Sequence, residues 1–205
     1  MSAVRDRILE VAGELFYSEG VRAVGVDTII AQADVARMSF YRHFKSKDGL
    51  VLACVQQRDE RVLTWFEREV ARLAPEPRDR PLAVFDALAI RFKTERYRGC
   101  GLLNTMSEMP DRTDTAHRAA AQHKTRFEGY LAGLLRDAGH SEAHAADLMQ
   151  LFDGAAITAV RLGTPEPAMR ARRMAALLLG LPAVPTHPGP AATPRRRTRR
   201  PARAR

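Results

Sequence analysis

The sequence predicts an all-α protein, and three observations predict it. Apolar residues recur at helical spacing along most of the chain, as in Val4, Ile8, Val11, Ala12, Leu15 and Phe16. Helix-ending residues stand between these runs, at Gly20, Pro75, Pro77, Pro110 and Gly139. No alternating pattern or hairpin turn marks a strand anywhere.

The first helix is predicted over 3–18, closed by Gly20. A second begins after Gly25, with Asp27 in its first turn favourably placed against the helix dipole, and ends near Ala33. Asp34 stands between the second and third helices, where the chain needs a residue tolerant of left-handed backbone. The third helix, 35–44, has two chemically opposed faces. Val35, Phe40 and Phe44 form the apolar side, which can be buried. Arg37, Met38, Ser39, Tyr41, Arg42 and His43 occupy the other arc, which carries no carboxylate and suits phosphates or base edges. Lys47 opens a fourth helix beside it, where its ammonium and free backbone N–H groups can meet a phosphate.

The stretch from Ile8 to Leu50, and most specifically Ser39-Phe40-Tyr41-Arg42-His43-Phe44-Lys45-Ser46-Lys47, resembles the DNA-binding domain of the TetR family of bacterial repressors. The chain departs from that family in having Asp34 where Gly is usual, and Gly25 and Ala36 where a Ser or Thr caps each helix. A missing cap hydroxyl costs roughly 1 kcal/mol, so DNA contacts at those two caps are not carried over. The resemblance implies an N-terminal three-helix helix-turn-helix DNA-binding domain, residues 1–48, followed by a helical ligand-binding and dimerisation domain, residues 49–182. It also implies double-stranded operator DNA as partner, a homodimer and a small-molecule effector. Arg37, Met38, Ser39, Tyr41, Arg42, His43 and Lys47 are the expected DNA contacts.

The fourth helix, to about residue 73, carries Leu50, Cys54, Val62, Trp65, Phe66 and Val70, and Pro75 stops it. At ~1.5 Å rise per residue it is about 40 Å long, and it is expected to be the one element shared by both cores. Its middle, 56–61, is polar, as where a helix crosses between two cores. Further helices are predicted over 81–97, 102–109 and 114–137, then from Ser141, read as an N-cap, and over 167–181. The last two carry broad faces of small apolar residues. Such a face reads either as intramolecular core or, more strongly, as half of a four-helix dimer interface. A two-fold dimer also lets two short reader helices address two half-sites.

The net charge of +9 is mostly a property of the end of the chain. Residues 1–50 hold seven Lys/Arg and seven Asp/Glu, whereas 195–205 hold seven arginines and no acid. Residues 183–205, rich in Pro, Ala and Arg, are expected to be disordered and to act either as a solvated tail or as a sequence-independent phosphate clamp. With no apolar run near ~18 residues and no signal-peptide pattern, a cytoplasmic protein is expected. Cys54 and Cys100 lack metal or disulfide spacing and suit a reducing compartment.

No catalytic constellation stands out, and neither an enzymatic activity nor a cofactor is expected. His140, His144 and Asp147 read as surface residues rather than a metal triad, and Gly99-x-Gly101 as a turn rather than a dinucleotide loop. For the ligand domain, Trp65, Phe66, Phe92 and Phe127 are candidate apolar lining, with Phe85, Met106, Met109 and Tyr130 behind them. Asn104, Glu108 and His123 are candidate orienting groups, and Cys100 joins them through the resemblance. For any one of them taken alone, ordinary core packing is the better reading. The reading is a repressor that binds a palindromic operator as a dimer and is released by a ligand. Its alternatives are a non-specific nucleic-acid-binding protein driven by the basic tail, a redox-controlled regulator acting through Cys100, and an enzyme with an attached DNA-binding domain.

Overall fold

The computed structural model describes residues 2–94 and 97–182 and, among them, shows nine α-helices and no strand. The order is α1 (Ala3–Glu19), α2 (Val26–Ala33), α3 (Arg37–His43), α4 (Lys47–Leu73), α5 (Arg80–Phe92), α6 (Gly101–Glu108), α7 (Thr115–Asp137), α8 (Ala145–Leu162) and α9 (Glu166–Leu178). The predicted tail, 183–205, lies outside the described residues. Among the described residues no helix is long and apolar enough to cross a membrane.

Local chemistry explains the boundaries. Gly20 ends α1 at a φ of 99°, its N–H donating to the Phe16 carbonyl. Asp34 ends α2 in the left-handed region, φ 49° and ψ 57°, and is the one non-glycine with positive φ among the described residues. Gly25 and Ala36 begin α2 and α3 with no side-chain cap bond, as their lack of a hydroxyl requires. Ser46 does cap α4, its hydroxyl accepting from the Gly49 N–H, and the Asp114 carboxylate accepts from both Ala116 and His117 at the head of α7.

Three predicted ends are corrected. The fifth helix stops at Phe92 instead of continuing to Tyr97, because the Thr94 hydroxyl takes the Arg91 carbonyl and the chain turns so that Tyr97 packs on Phe92, ring centroids 4.8 Å apart. Ser141 caps a short 3-10 turn, Glu142–His144, from which α8 continues at Ala145. The ninth helix ends at Leu178, closed by Gly180 at φ 66° and by the Leu181 N–H returning to the Ala176 carbonyl.

Two cores result. The first gathers Ile8, Leu15, Ile29, Phe40 and Phe44 with Leu50, Val51 and Val55 from the start of α4. The second gathers Phe66, Phe85, Phe127, Leu135, Leu148 and Phe152 with alanines of α8 and α9. Full burial of one such side chain contributes roughly 1.5–3 kcal/mol. The expectation that α4 alone joins the two cores is wrong. Leu102 of α6 and Ala116 and Ala120 of α7 are buried in the first core, while Phe127 and Leu131 of the same α7 lie in the second. Two helices, α4 and α7, therefore bridge the halves, and α6, although it belongs to the predicted second domain, packs in the first core.

On α8 and α9 the small residues Ala155, Ala156, Ala159, Ala171 and Ala175 are buried within the chain, so the core reading holds for them. A separate outer row stays open: Ile157, Val160, Met174 and Leu177, the last 72% exposed.

Candidate nucleic-acid interface and ligand cavity

The short α3 is held from beneath by Phe40, which has no exposed surface and meets Phe44 and, edge-on at 5.3 Å, Tyr41. The turn before it is braced by the Val35 N–H on the Ile30 carbonyl and by an Arg7 guanidinium N–H on the Asp34 carbonyl at 3.1 Å. Above this support Met38 is 82% and Tyr41 41% exposed, with Arg37 and Arg42 also open. Ser39 and Lys47 are half-buried at the edge of the same surface. Arg37 Nη1 lies 2.9 Å from the Asp27 carboxylate, both groups solvated, and its guanidinium approaches the Tyr41 ring at 5.9 Å.

His43 departs from the expected arrangement. Its Nε2 is buried without a hydrogen-bond partner, so that edge of the ring faces protein instead of the open arc. The position at the last turn of α3, next to buried Phe44, turns it inward.

In the second half a cavity of about 40 Å³ lies between α4, α5, α6, α7 and α8. Of the residues proposed from the sequence as ligand contacts, it brings together Phe66, Cys100, His123 and Phe127. Trp65, Phe92 and Asn104 do not. Trp65 sits one residue round α4 from Phe66 and faces a neighbouring groove, where Arg91 lies 5.2 Å from its ring. Phe92 is core against Tyr97, and Asn104 donates from Nδ2 to the Arg98 carbonyl at 2.9 Å. Phe85 is wholly buried core, Tyr130 packs on Phe127, and Met106 and Met109 pack against the first core. Glu108 instead accepts the Arg22 backbone N–H at 3.1 Å beside Gly20, tying α6 to the end of α1.

Sequence reasoning missed Arg58, Arg91, Tyr97 and Lys124, all of which line the cavity. The only local signal was the polar middle of α4, read as a crossing segment. Lys124 is neutralised by Asp153 at 2.5 Å. His123, 2% exposed, lies with Nδ1 2.6 Å from Asp59, whose other oxygen meets Arg126 at 2.5 Å. Burial holds His123 below the ordinary imidazole range, with the Asp59 hydrogen bond opposing it. Burial likewise pushes the Tyr97 phenol well up, so that it stays a neutral donor. The Cys54 thiol is pushed up to about 12 by its burial and is correspondingly unreactive.

The link between cavity and first core is built on Tyr17. Its hydroxyl accepts from the Arg98 N–H at 2.8 Å and donates to the Gly99 carbonyl at 3.2 Å, while Arg58 stacks over its ring at 4.3 Å.

Residues 8–54 match the family model described as bacterial regulatory proteins, tetR family. The HTH-type transcriptional activator FasR of Mycolicibacterium smegmatis is 32% identical over 83 residues, which are 40% of this chain and 37% of that protein. The curated relatives are thus matched over little more than a third of their length. Among solved structures, SCO4454, a TetR-family transcriptional regulator from Streptomyces coelicolor, superposes with a TM-score of 0.77 at 29% identity, covering 87% of this chain and 90% of that one. The reduced form of E. coli NemR has the same TM-score at 21% identity, over 89% of this chain and all of that one, a likeness of fold. Residues 8–54 are thus a DNA-binding domain of the TetR family, carried on the helices that form the first core, and the chain as a whole shares the two-part helical architecture of solved TetR-family regulators.

Proposed function

We propose that this protein is a transcriptional repressor that binds a palindromic operator as a homodimer and leaves it when a small molecule enters the helical domain. The observation that carries the reading is the arc of α3 in which Arg37, Met38, Tyr41 and Arg42 stand open, with no carboxylate on the helix, over a fully buried Phe40. Such an arc offers bidentate donors and a hydroxyl to base edges, with Ser39 and Lys47 at its margin for phosphates. The outer row of α8 and α9, Ile157, Val160, Met174 and Leu177, supports two-fold pairing through a four-helix bundle. Ligand release is supported by the cavity beside α6, a helix that also reaches the first core.

Protection of DNA upstream of the protein's own gene, tested in competition with random DNA, is the primary experiment. A two-fold symmetric footprint with half-sites about one helical turn apart, ~34–36 Å, or a multiple of it, is expected. Leu177→Glu should yield a monomer by sedimentation and lose that footprint. Equal affinity for random DNA would replace this reading with a non-specific coating function. A rise in transcription on adding the protein would reverse the sign of regulation while keeping the DNA-reading role.

A further inference from the structure

Arg58 is in an unusual electrostatic position. It lies in the middle of α4, largely covered, and its guanidinium presses against Gly101, the first residue of α6. The start of a helix carries unsatisfied N–H groups and a partial positive charge, a place that favours an anion and disfavours a cation. Among the described residues no carboxylate reaches Arg58 within ion-pair distance, and its nearest companion is the face of Tyr17. Burial pulls its pKa down, which registers the cost of holding the charge there unpaired. The cavity that Arg58 enters is lined by one other arginine, Arg91, and by no Asp or Glu, while its Lys124 is already paired with Asp153 and its His123 with Asp59. Its remaining walls are apolar, chiefly Phe66, Leu88, Phe127 and Phe152.

A cation at a helix start, over an otherwise apolar chamber, has the complement of a molecule with one anionic end and an apolar body. The planar fork of a guanidinium matches a carboxylate through two parallel hydrogen bonds. We propose that this cavity binds an apolar or aromatic monocarboxylate, its carboxylate held between Arg58 and the first N–H groups of α6. This names the ligand class for the effector reading above and rests on it. The chamber's 40 Å³ is well short of the roughly 150 Å³ that accepts a benzene ring, so entry must move a wall. Of the walls, α6 is the shortest helix, eight residues, and it is tied directly to the first core through Glu108 and Leu102.

The test compares benzoate with benzamide, and octanoate with octanamide, on the full-length protein by saturation-transfer NMR, alongside operator binding. Each carboxylate is expected to bind about tenfold or more tighter than its amide. Arg58→Met should bring the two within a factor of about two, while Arg61→Met, on the neighbouring solvent face, leaves the ratio unchanged. The comparison within the wild-type protein needs no variant, so misfolding of Arg58→Met would not rescue the proposal. Equal binding of acid and amide, amide preference, or no binding of either pair at millimolar concentration overturns it. Carboxylate binding that follows Arg58 but leaves operator affinity unchanged upholds the site and defeats the effector reading instead.

Discussion

The Arg58 guanidinium fills the space in which a side chain at residue 101 would begin: its Cζ stands 2.9 Å and its Cδ 3.1 Å from the position of a Cβ on Gly101. Glycine is required there by this close approach and not by backbone conformation, since residue 101 lies in ordinary α-helix. Gly101→Ala should therefore evict the flexible end of Arg58 while improving helix propensity by up to about 1 kcal/mol. The expected outcome is a melting temperature near or above that of the wild type, together with loss of the preference for carboxylate over amide. A variant that kept the preference would show that Arg58 does not hold the anion from this position.

On α3, adjacent residues should behave in opposite ways. Phe40→Ala removes a ring with no exposed surface and should destabilise the protein by roughly 3–5 kcal/mol. Tyr41→Ala loses an edge contact with Phe40 and otherwise open surface, so the fold should persist while operator binding weakens by roughly 1–3 kcal/mol. Chemical denaturation and a binding isotherm on each variant check both halves. A melting curve collapsed by Tyr41→Ala and untouched by Phe40→Ala would invert the two faces.

These two residues also show why some of the molecule was legible in its sequence. The i, i+4 pair Phe40 and Phe44 spans the last turn of one helix and its C-cap, so periodicity alone assigns it to the buried side, and Asp34 announces its left-handed turn by residue type and place. Trp65 and Phe66 were not separable in the same way. One step round α4 sends Phe66 into the cavity and Trp65 to an outer groove, and only the packing of α5, α7 and α8 decides which is which. Met106 and Met109 went to the first core for a related reason: α6 folds back from the second half of the chain onto that core, a tertiary fact with no local signature. Arg58 was hidden by its own class, because a charged residue in a polar segment reads as solvated until a neighbouring helix covers it.

The Asp59–His123 pair predicts a pH dependence. Burial keeps the imidazole pKa below its ordinary value of 6.5, so the unfolded chain takes up this proton more readily than the folded one. The sign follows: stability is complete above about 6.5 and is progressively lost as pH falls from there toward the folded pKa. Melting temperatures between about pH 7.5 and pH 5 should decline, and the decline should be shallower in His123→Asn, which does not titrate there. Identical slopes in the two proteins would assign the acid sensitivity to other groups.

The coupling of cavity to operator should run through Tyr17, because its hydroxyl is the point at which the α5–α6 linker is pinned to α1. Arg98 donates to it and Gly99 accepts from it, while the ring carries Arg58. A carboxylate that drew Arg58 off this ring and shifted α6 would pull on both bonds at once, and α1 packs against α2 and α3 in the first core. Tyr17→Phe keeps the ring and removes only the hydroxyl. Ligand affinity in the absence of DNA, and operator affinity in the absence of ligand, should each stay close to wild type. The coupling factor between them, typically 5–150-fold in such systems and by linkage equal in both directions, should fall toward one. Measuring operator affinity with and without the bound carboxylate, and carboxylate affinity with and without operator, gives that factor twice and checks its own consistency. If Tyr17→Phe leaves the factor intact, the signal travels by tilting of α4 instead, and the hydrogen bonds at Tyr17 only hold the linker in place.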